Sequence, residues 1–141
     1  MERQMTRYVL VDAVNKTVKH HEAESITECY PLVGLKAAEL DHGTVFRDET
    51  GCGIALFVYE YGLVEPPATQ LFFSIERELY AGNGAVLFAF DERGETINMP
   101  DTLPPVMFYQ NAKAVERAIQ RGEVPRPRMA VNGITTWEWH A

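Results

Sequence analysis

Residues 71–95, LFFSIERELYAGNGAVLFAFDERGE, constrain the fold of this chain more than any other stretch. Leu71, Phe72, Phe73 and Ile75, then Ala85 to Phe90, are aromatic and aliphatic runs that suit a pleated, buried surface. Each run is too short for a helix of ordinary length. Between them Ala81-Gly82-Asn83-Gly84 supplies residues that tolerate positive φ, as a reversal of the chain requires. The pattern predicts two central strands joined by a glycine-rich turn. Asp91-Glu92-Arg93-Gly94 ends the second strand with another turn, Gly94 suiting a left-handed position.

The segments before it read in the same way. Arg7–Asp12 and Thr17–Glu22 flank Ala13-Val14-Asn15-Lys16, which predicts an opening hairpin with a four-residue loop. Ser25 and Glu28 are spaced to cap a helix start reciprocally, so a short helix is expected toward Val33, limited or kinked by Pro31 and stopped at Gly34. Leu35–Leu40 then reads as a strand, His42-Gly43 as a turn and Thr44–Asp48 as a further strand. Ile54–Tyr61, IALFVYEY, alternates cleanly, placing Ala55, Phe57, Tyr59 and Tyr61 on one face and Leu56, Val58 and Glu60 on the other. Pro66 and Pro67 make a stiff connection into the central stretch.

After Gly94 a polar, proline-bearing link leads to Asp101 or Thr102 as a helix cap. A helix is expected from about Pro105 to Arg121, with Phe108, Ala112, Val115 and Ile119 as its apolar face and Gly122 as its stop. Lys113, Arg117 and Arg121 recur at steps of four on another face of that helix. An extended arm, Val124-Pro125-Arg126-Pro127-Arg128, leads to Met129–Val131 and Ile134–Trp139 around Asn132-Gly133, a strong hairpin signal with Trp137 and Trp139 on one face. Together these elements predict one α+β domain. Its body is a mixed, mostly antiparallel sheet of about six to eight strands, with one short and one longer C-terminal helix. Residues 1–100 form the sheet-rich core, and residues 101–141 the basic helix and terminal hairpin.

A chain of 141 residues that is 46% hydrophobic has enough apolar material for a single core without metal or disulfide support. Cys29 and Cys52, with the charged start Met1-Glu2-Arg3-Gln4, suggest free thiols in a reducing cytoplasm. No apolar run approaches the roughly 20 residues of a membrane helix. The net charge of -7 argues against direct nucleic-acid binding, which wants a basic surface. The charge is uneven: up to Tyr109 there are 8 Lys and Arg against 17 Asp and Glu, and from Gln110 onward 5 against 3. A basic C-terminal segment therefore sits on an acidic body.

No motif in the chain is a catalytic signature. Gly82-Asn83-Gly84 resembles a phosphate cradle only superficially, because neither a helix nor a Gly-Lys-Ser/Thr follows it, and it reads as a plain turn. His20, His21, His42, His140, Cys29 and Cys52 lack any Cys-x-x-Cys or His-x-x-x-His pair, so no metal is expected, nor any cofactor. No strained Gly-x-Ser-x-Gly turn is present, and the reading leans away from an enzyme.

The remaining candidate is the row Lys113, Arg117, Arg121, continued by Arg126 and Arg128. It is either a solvated helix face or an anion clamp whose guanidinium groups hold a phosphate while Tyr59, Tyr61, Phe108 or Trp137 stacks on a base. An opposing idea uses the acidic body: Glu60, Glu65, Glu76, Glu78, Asp91, Glu92, Glu95 and Asp101 make the chain a protein–protein inhibitor or a DNA mimic that occupies a DNA-binding host protein.

From Tyr8 to about Glu95 the chain resembles an uncharacterised family of small proteins encoded by bacteriophages and plasmids. The resemblance rests on the YVLVD…NKTV hairpin, the GIALFVYEYGL strand, LFFSI and ELYAGNGAVLFAFDERGET. It covers roughly two-thirds of the chain and stops short of the C-terminal helix and hairpin. It implies an accessory protein of a mobile element, working in the host cytoplasm. Joined to the basic row, it leads to the expectation of a non-enzymatic protein that captures a small nucleotide-like anion, conceivably a host defence signal. Exchange of the terminal hairpin would make it a homodimer.

Overall fold

The computed structural model describes residues 4–59 and 69–125, together with the backbone of residues 129–131 and 134–136. It is mostly antiparallel β-sheet with few helices. Thr6–Asp12 (β1) and Thr17–Ala23 (β2) form the opening hairpin as expected, with Tyr8 opposite His21 and Asp12 opposite Thr17. Asp12 holds the loop by accepting from the backbone N–H and side-chain amide of Asn15.

The capping signal at Ser25 is real, but what it starts is a pair of tight 3₁₀ turns, Ile26–Glu28 and Tyr30–Val33. Ser25 Oγ accepts from Thr27 N at 3.3 Å while Glu28 reaches back to Ser25 N at 2.9 Å, which completes the capping box. Pro31 lies in the first turn of the second piece, where its missing N–H costs nothing, and Gly34 ends it at φ 72°.

Residues 35–40 are not the expected strand. They include a 3₁₀ turn at Ala37–Glu39, and the strand β3 runs from Leu40 to Arg47. His42-Gly43 lies inside β3 and not in a turn, because β3 pairs along its length with Gly53–Tyr59 (β4), with a bulge between Thr44 and Phe46. Local turn propensity yields here to the ladder.

The central stretch differs most from expectation. Phe72–Ile75 (β5) does not pair with the strand beyond the glycine turn. It turns back at Glu76-Arg77 into Glu78–Ala81 (β6), both turn residues adopting positive φ, 51° and 68°. That is the geometry of a two-residue type I′ hairpin built without glycine or asparagine. Gly82-Asn83 then carries the chain across to Gly84–Phe90 (β7), which lies in another sheet. The Asp91–Gly94 turn forms as read, with Asp91 Oδ1 accepting from Arg93 N and Glu95 N, and Thr96–Ile97 (β8) pairs back onto β7.

The C-terminal helix is shorter than its sequence pattern. Val106–Tyr109 is a strand (β9) on β5, with Phe108 opposite Phe73, and the helix α1 is Ala112–Gln120. Its cap is Asn111, whose side chain accepts from Ala114 N at 2.9 Å, in place of Asp101 or Thr102. The closing hairpin is present in backbone as Met129–Val131 (β10) and Ile134–Thr136 (β11). Its turn residues and both tryptophans lie outside the described residues.

Among the described residues, β1 to β9 make two packed sheets and β10–β11 a separate two-stranded ribbon, with every pairing antiparallel, where a single mixed, mostly antiparallel sheet was expected. The larger has the order β2-β1-β7-β4-β3, with β8 beside β7, and the smaller β6-β5-β9. Their facing sides enclose the main core, in which Val9, Val11, Leu56, Val58, Ala85 and Leu87 meet Phe73 and Ile75. Alternation along each strand sends the intervening residues outward to two further cores. On the small sheet Phe72, Leu79 and Tyr109 pack under α1 through Ala112, Val115 and Ala118. On the large sheet Tyr8, Leu10 and Val86 pack under the 3₁₀ turns through Cys29, Tyr30 and Val33. The order of layers is 3₁₀ turns, large sheet, small sheet, helix. Complete burial of a Phe contributes about 2–3 kcal/mol relative to exposure, and the fold has one such ring on each side of the small sheet, Phe73 between the sheets and Phe72 under α1.

Candidate functional site

The basic row is placed by α1. Burial of Ala112, Val115 and Ala118 fixes the roll of the helix and leaves Lys113, Arg117 and Arg121 exposed on its solvent side. Arg121, the helix C-cap, is engaged by Glu123 through Nε–Oε1 at 3.1 Å and Nη2–Oε2 at 3.3 Å. The hydrogen bond and charge of Glu123 raise the guanidinium pKa still further, so this cation already has a counter-ion. Phe108 faces the main core from β9. Tyr59 lies on the far side of the large sheet, against the core under the 3₁₀ turns. The row, Phe108 and Tyr59 thus belong to three different layers. Tyr61, Arg126, Arg128 and Trp137 lie outside the described residues.

A concave site forms at Tyr59 instead. A cavity of about 270 Å³ is lined by Gly34, Leu35 and Lys36 after the second 3₁₀ turn, by Tyr59 at the end of β4, by Gln70 ahead of β5, and by Gly82 and Asn83 in the crossover. The walls are set by backbone geometry. Gly34 at φ 72° approaches Asn83 so closely that a Cβ there would stand 3.2 Å from Asn83 Cβ and Nδ2. Gly82 at φ 130° adopts a backbone open to glycine alone, and a Cβ there would meet Tyr59 Cβ at 3.2 Å. The crossover is pinned on both sides, Gly82 N donating to Leu71 O at 3.0 Å and Ala13 N donating to Asn83 O at 2.8 Å. These bonds tie the pocket floor to β5 and to the first hairpin.

Chemically the pocket offers one exposed ammonium from Lys36, one phenol ring from Tyr59, and two side-chain amides, Gln70 and Asn83, that donate and accept. That set matches a planar ring with a polar edge and one anionic group. Of the expected ligand-binding residues, Tyr59 alone lines it. Gly82 and Asn83, read from the sequence as a plain turn, line it too, and Lys36 and Gln70 carry no sequence signal of their own.

Burial holds two other groups, Cys29 and Tyr80, in their neutral forms. Cys29 is fully buried, and burial together with Glu28 pushes its thiol up to about 11, so it stays protonated at neutral pH. Tyr80, between the sheets, is pushed up to about 12 by burial and then by Glu78. Cys52 is half-buried, its Sγ 3.6 Å from Glu92 Oε2. Among the described residues no three His, Cys, Asp or Glu side chains gather as a metal site, and no helix is long and apolar enough to cross a membrane.

The chain is thus a two-sheet β-sandwich, capped on both outer faces, with a small polar-aromatic pocket at one end of the large sheet. No family model, curated protein or solved structure matches it.

Proposed function

We propose that this chain is a non-enzymatic binding protein that takes up a small nucleotide-like anion in the pocket at Lys36, Tyr59, Gln70 and Asn83. The observation that carries the reading is the cavity itself, in which one cation, one aromatic ring and two amides line a single concave volume. At about 270 Å³ it lies just below the usual span of small-molecule sites, roughly 300–1,000 Å³. It holds one ring and its charged group. Lys36 supplies the charge for a phosphate or carboxylate, and the amides of Gln70 and Asn83 suit the donor and acceptor edge of a base. The phage or plasmid accessory role implied by the first two-thirds of the sequence supplies the setting, a host cell in which such an anion is worth sequestering.

A thermal-shift screen of nucleoside monophosphates tests this. A ligand bound only by the folded state stabilises it by about 2.7 kcal/mol at a hundred times its Kd. A rise in Tm with at least one monophosphate, lost in Lys36→Ala, is the expected outcome. No rise with any of them, or a rise that survives Lys36→Ala unchanged, overturns the proposal.

A further inference from the structure

The pocket is one end of a longer surface. Strand register sends Phe57 and Tyr59 of β4 to the same face as Leu40 and His42 of β3 and Val86 and Phe88 of β7. Only part of that face lies under the 3₁₀ turns. Tyr30 meets Phe57 edge-on at 5.8 Å and marks where their cover ends. Past it, Phe57 and Phe88 lie stacked, ring centroids 5.4 Å apart and 22° from parallel, and both stay half-buried. His42 is exposed and closes on the two rings at 5.5 and 6.0 Å. These three side chains form an open aromatic shelf. It begins two residues along β4 from Tyr59, a step of roughly 7 Å.

The charge on this face differs from that of the chain. The net charge is -7, yet the ionisable strand residues that register brings to this side are Lys19, His21, His42, Arg47 and Asp12. Asp12 is turned back onto Asn15, and Glu28 of the covering turn is held in its capping box with Ser25. Arg47 stands with its guanidinium 5.2 Å from the centre of the Phe90 ring, at the far end of the shelf from Lys36. A strip of aromatic rings between two cations, on an otherwise acidic protein, fits flat rings joined by negative charge.

We infer that the His42–Phe57–Phe88 shelf is a second ring subsite of the same binding site, so that the preferred ligand is a dinucleotide with one base at Tyr59 and the other on the shelf. The inference rests on the pocket reading above and extends it, because a cavity of about 270 Å³ is filled by one base, and among the described residues the shelf is the aromatic surface next to it along β4. Stacking of a base on aromatic side chains is sequence-tolerant, so the shelf sets the number of rings more than their identity.

Calorimetric titration of AMP and of the dinucleotide pApA into the wild-type protein, His42→Ala and Phe88→Leu separates the two readings. The wild type is expected to bind pApA roughly ten- to a hundredfold more tightly than AMP. In His42→Ala, an exposed position whose loss leaves the core intact, that ratio is expected to fall toward one, and in Phe88→Leu to fall as well. Equal affinities for AMP and pApA in the wild type would overturn the shelf and leave the pocket standing. A ratio unchanged in both variants would do the same. Absence of binding by either compound would remove the pocket reading and the shelf with it.

Discussion

Both outer faces of the sandwich are capped by helical segments, and the two caps do different jobs. On the small sheet α1 is nine residues long and buries Ala112, Val115 and Ala118 over Phe72, Leu79 and Tyr109. On the large sheet the cap is two 3₁₀ turns of three and four residues, which cover Tyr8, Leu10 and Val86 but leave Phe57, Tyr59 and Phe88 partly open. The cationic row thus rides on the solvent side of a sealed cap, where charges meet water. The concave, aromatic surface lies where the other cap is too short for the sheet beneath it. The proposed binding site rests on incomplete cover, more than on a concentration of charge.

The sharpest way to break this contrast is to truncate one aromatic side chain under each cap. Phe72→Ala removes a wholly buried ring beneath α1 and is expected to cost about 3–5 kcal/mol in urea unfolding. Phe88→Ala, half-buried on the shelf, is expected to cost under about 2 kcal/mol. Equal losses would mean that the shelf is ordinary core. Next come the two glycines that end the caps, both at positive φ. Gly34→Ala adds a Cβ against Asn83 as well as the backbone penalty of about 1–2 kcal/mol, whereas at Gly122 nothing lies within 4 Å. Gly34→Ala is therefore expected to be the more destabilising and, of the two, the one that changes the pocket. Comparable melting temperatures for the two variants would contradict this.

Part of this architecture was legible in the sequence because it is local. The opening hairpin, the alternation of β4, the Asp91 turn and the capping box at Ser25 each depend on residues within a few positions of one another. The Glu76-Arg77 hairpin was not legible, because neither residue advertises positive φ, and the eye goes to Gly82-Asn83-Gly84 instead. Residues 106–109 read as helix because Phe108 continues the spacing of Ala112, Val115 and Ile119. Pairing with β5 overrides that spacing and turns Phe108 toward the main core. The pocket draws on residues 34–36, 59, 70 and 82–83, and no local pattern joins segments so far apart.

A further effect appears only at alkaline pH, and it probes the thinner cap. The Cys29 thiol, beneath the 3₁₀ turns, is raised from 9.0 to about 11, so between those values the unfolded chain has released a proton that the folded chain retains. Stability is complete below pH 9 and falls as pH rises toward 11. Cys29→Ala is expected to make the decline in urea midpoints shallower, chiefly between pH 9 and 10, because Tyr8 and Tyr30 in the same core are raised from 10.0 and add to it above that. Tyr80, raised from 10.0 to about 12, keeps its share of the decline at higher pH in the variant as in the wild type. An unaltered slope between pH 9 and 11 would show that Cys29 ionises as readily in the fold as outside it.

The central claim is that the ligand site lies under the short cap and not on the basic helix. Calorimetric titration of AMP into two variants, Lys36→Ala and the pair Lys113→Ala with Arg117→Ala, tests it most directly. Loss of the Lys36 charge is expected to weaken binding tenfold or more, on the scale of about 1.5–3 kcal/mol for a hydrogen bond to a charged group. Loss of both helix cations is expected to leave the affinity within about twofold, since they are exposed and lie in another layer. The reverse pattern, full affinity in Lys36→Ala and none in the helix variant, would place the site on α1 and contradict the account.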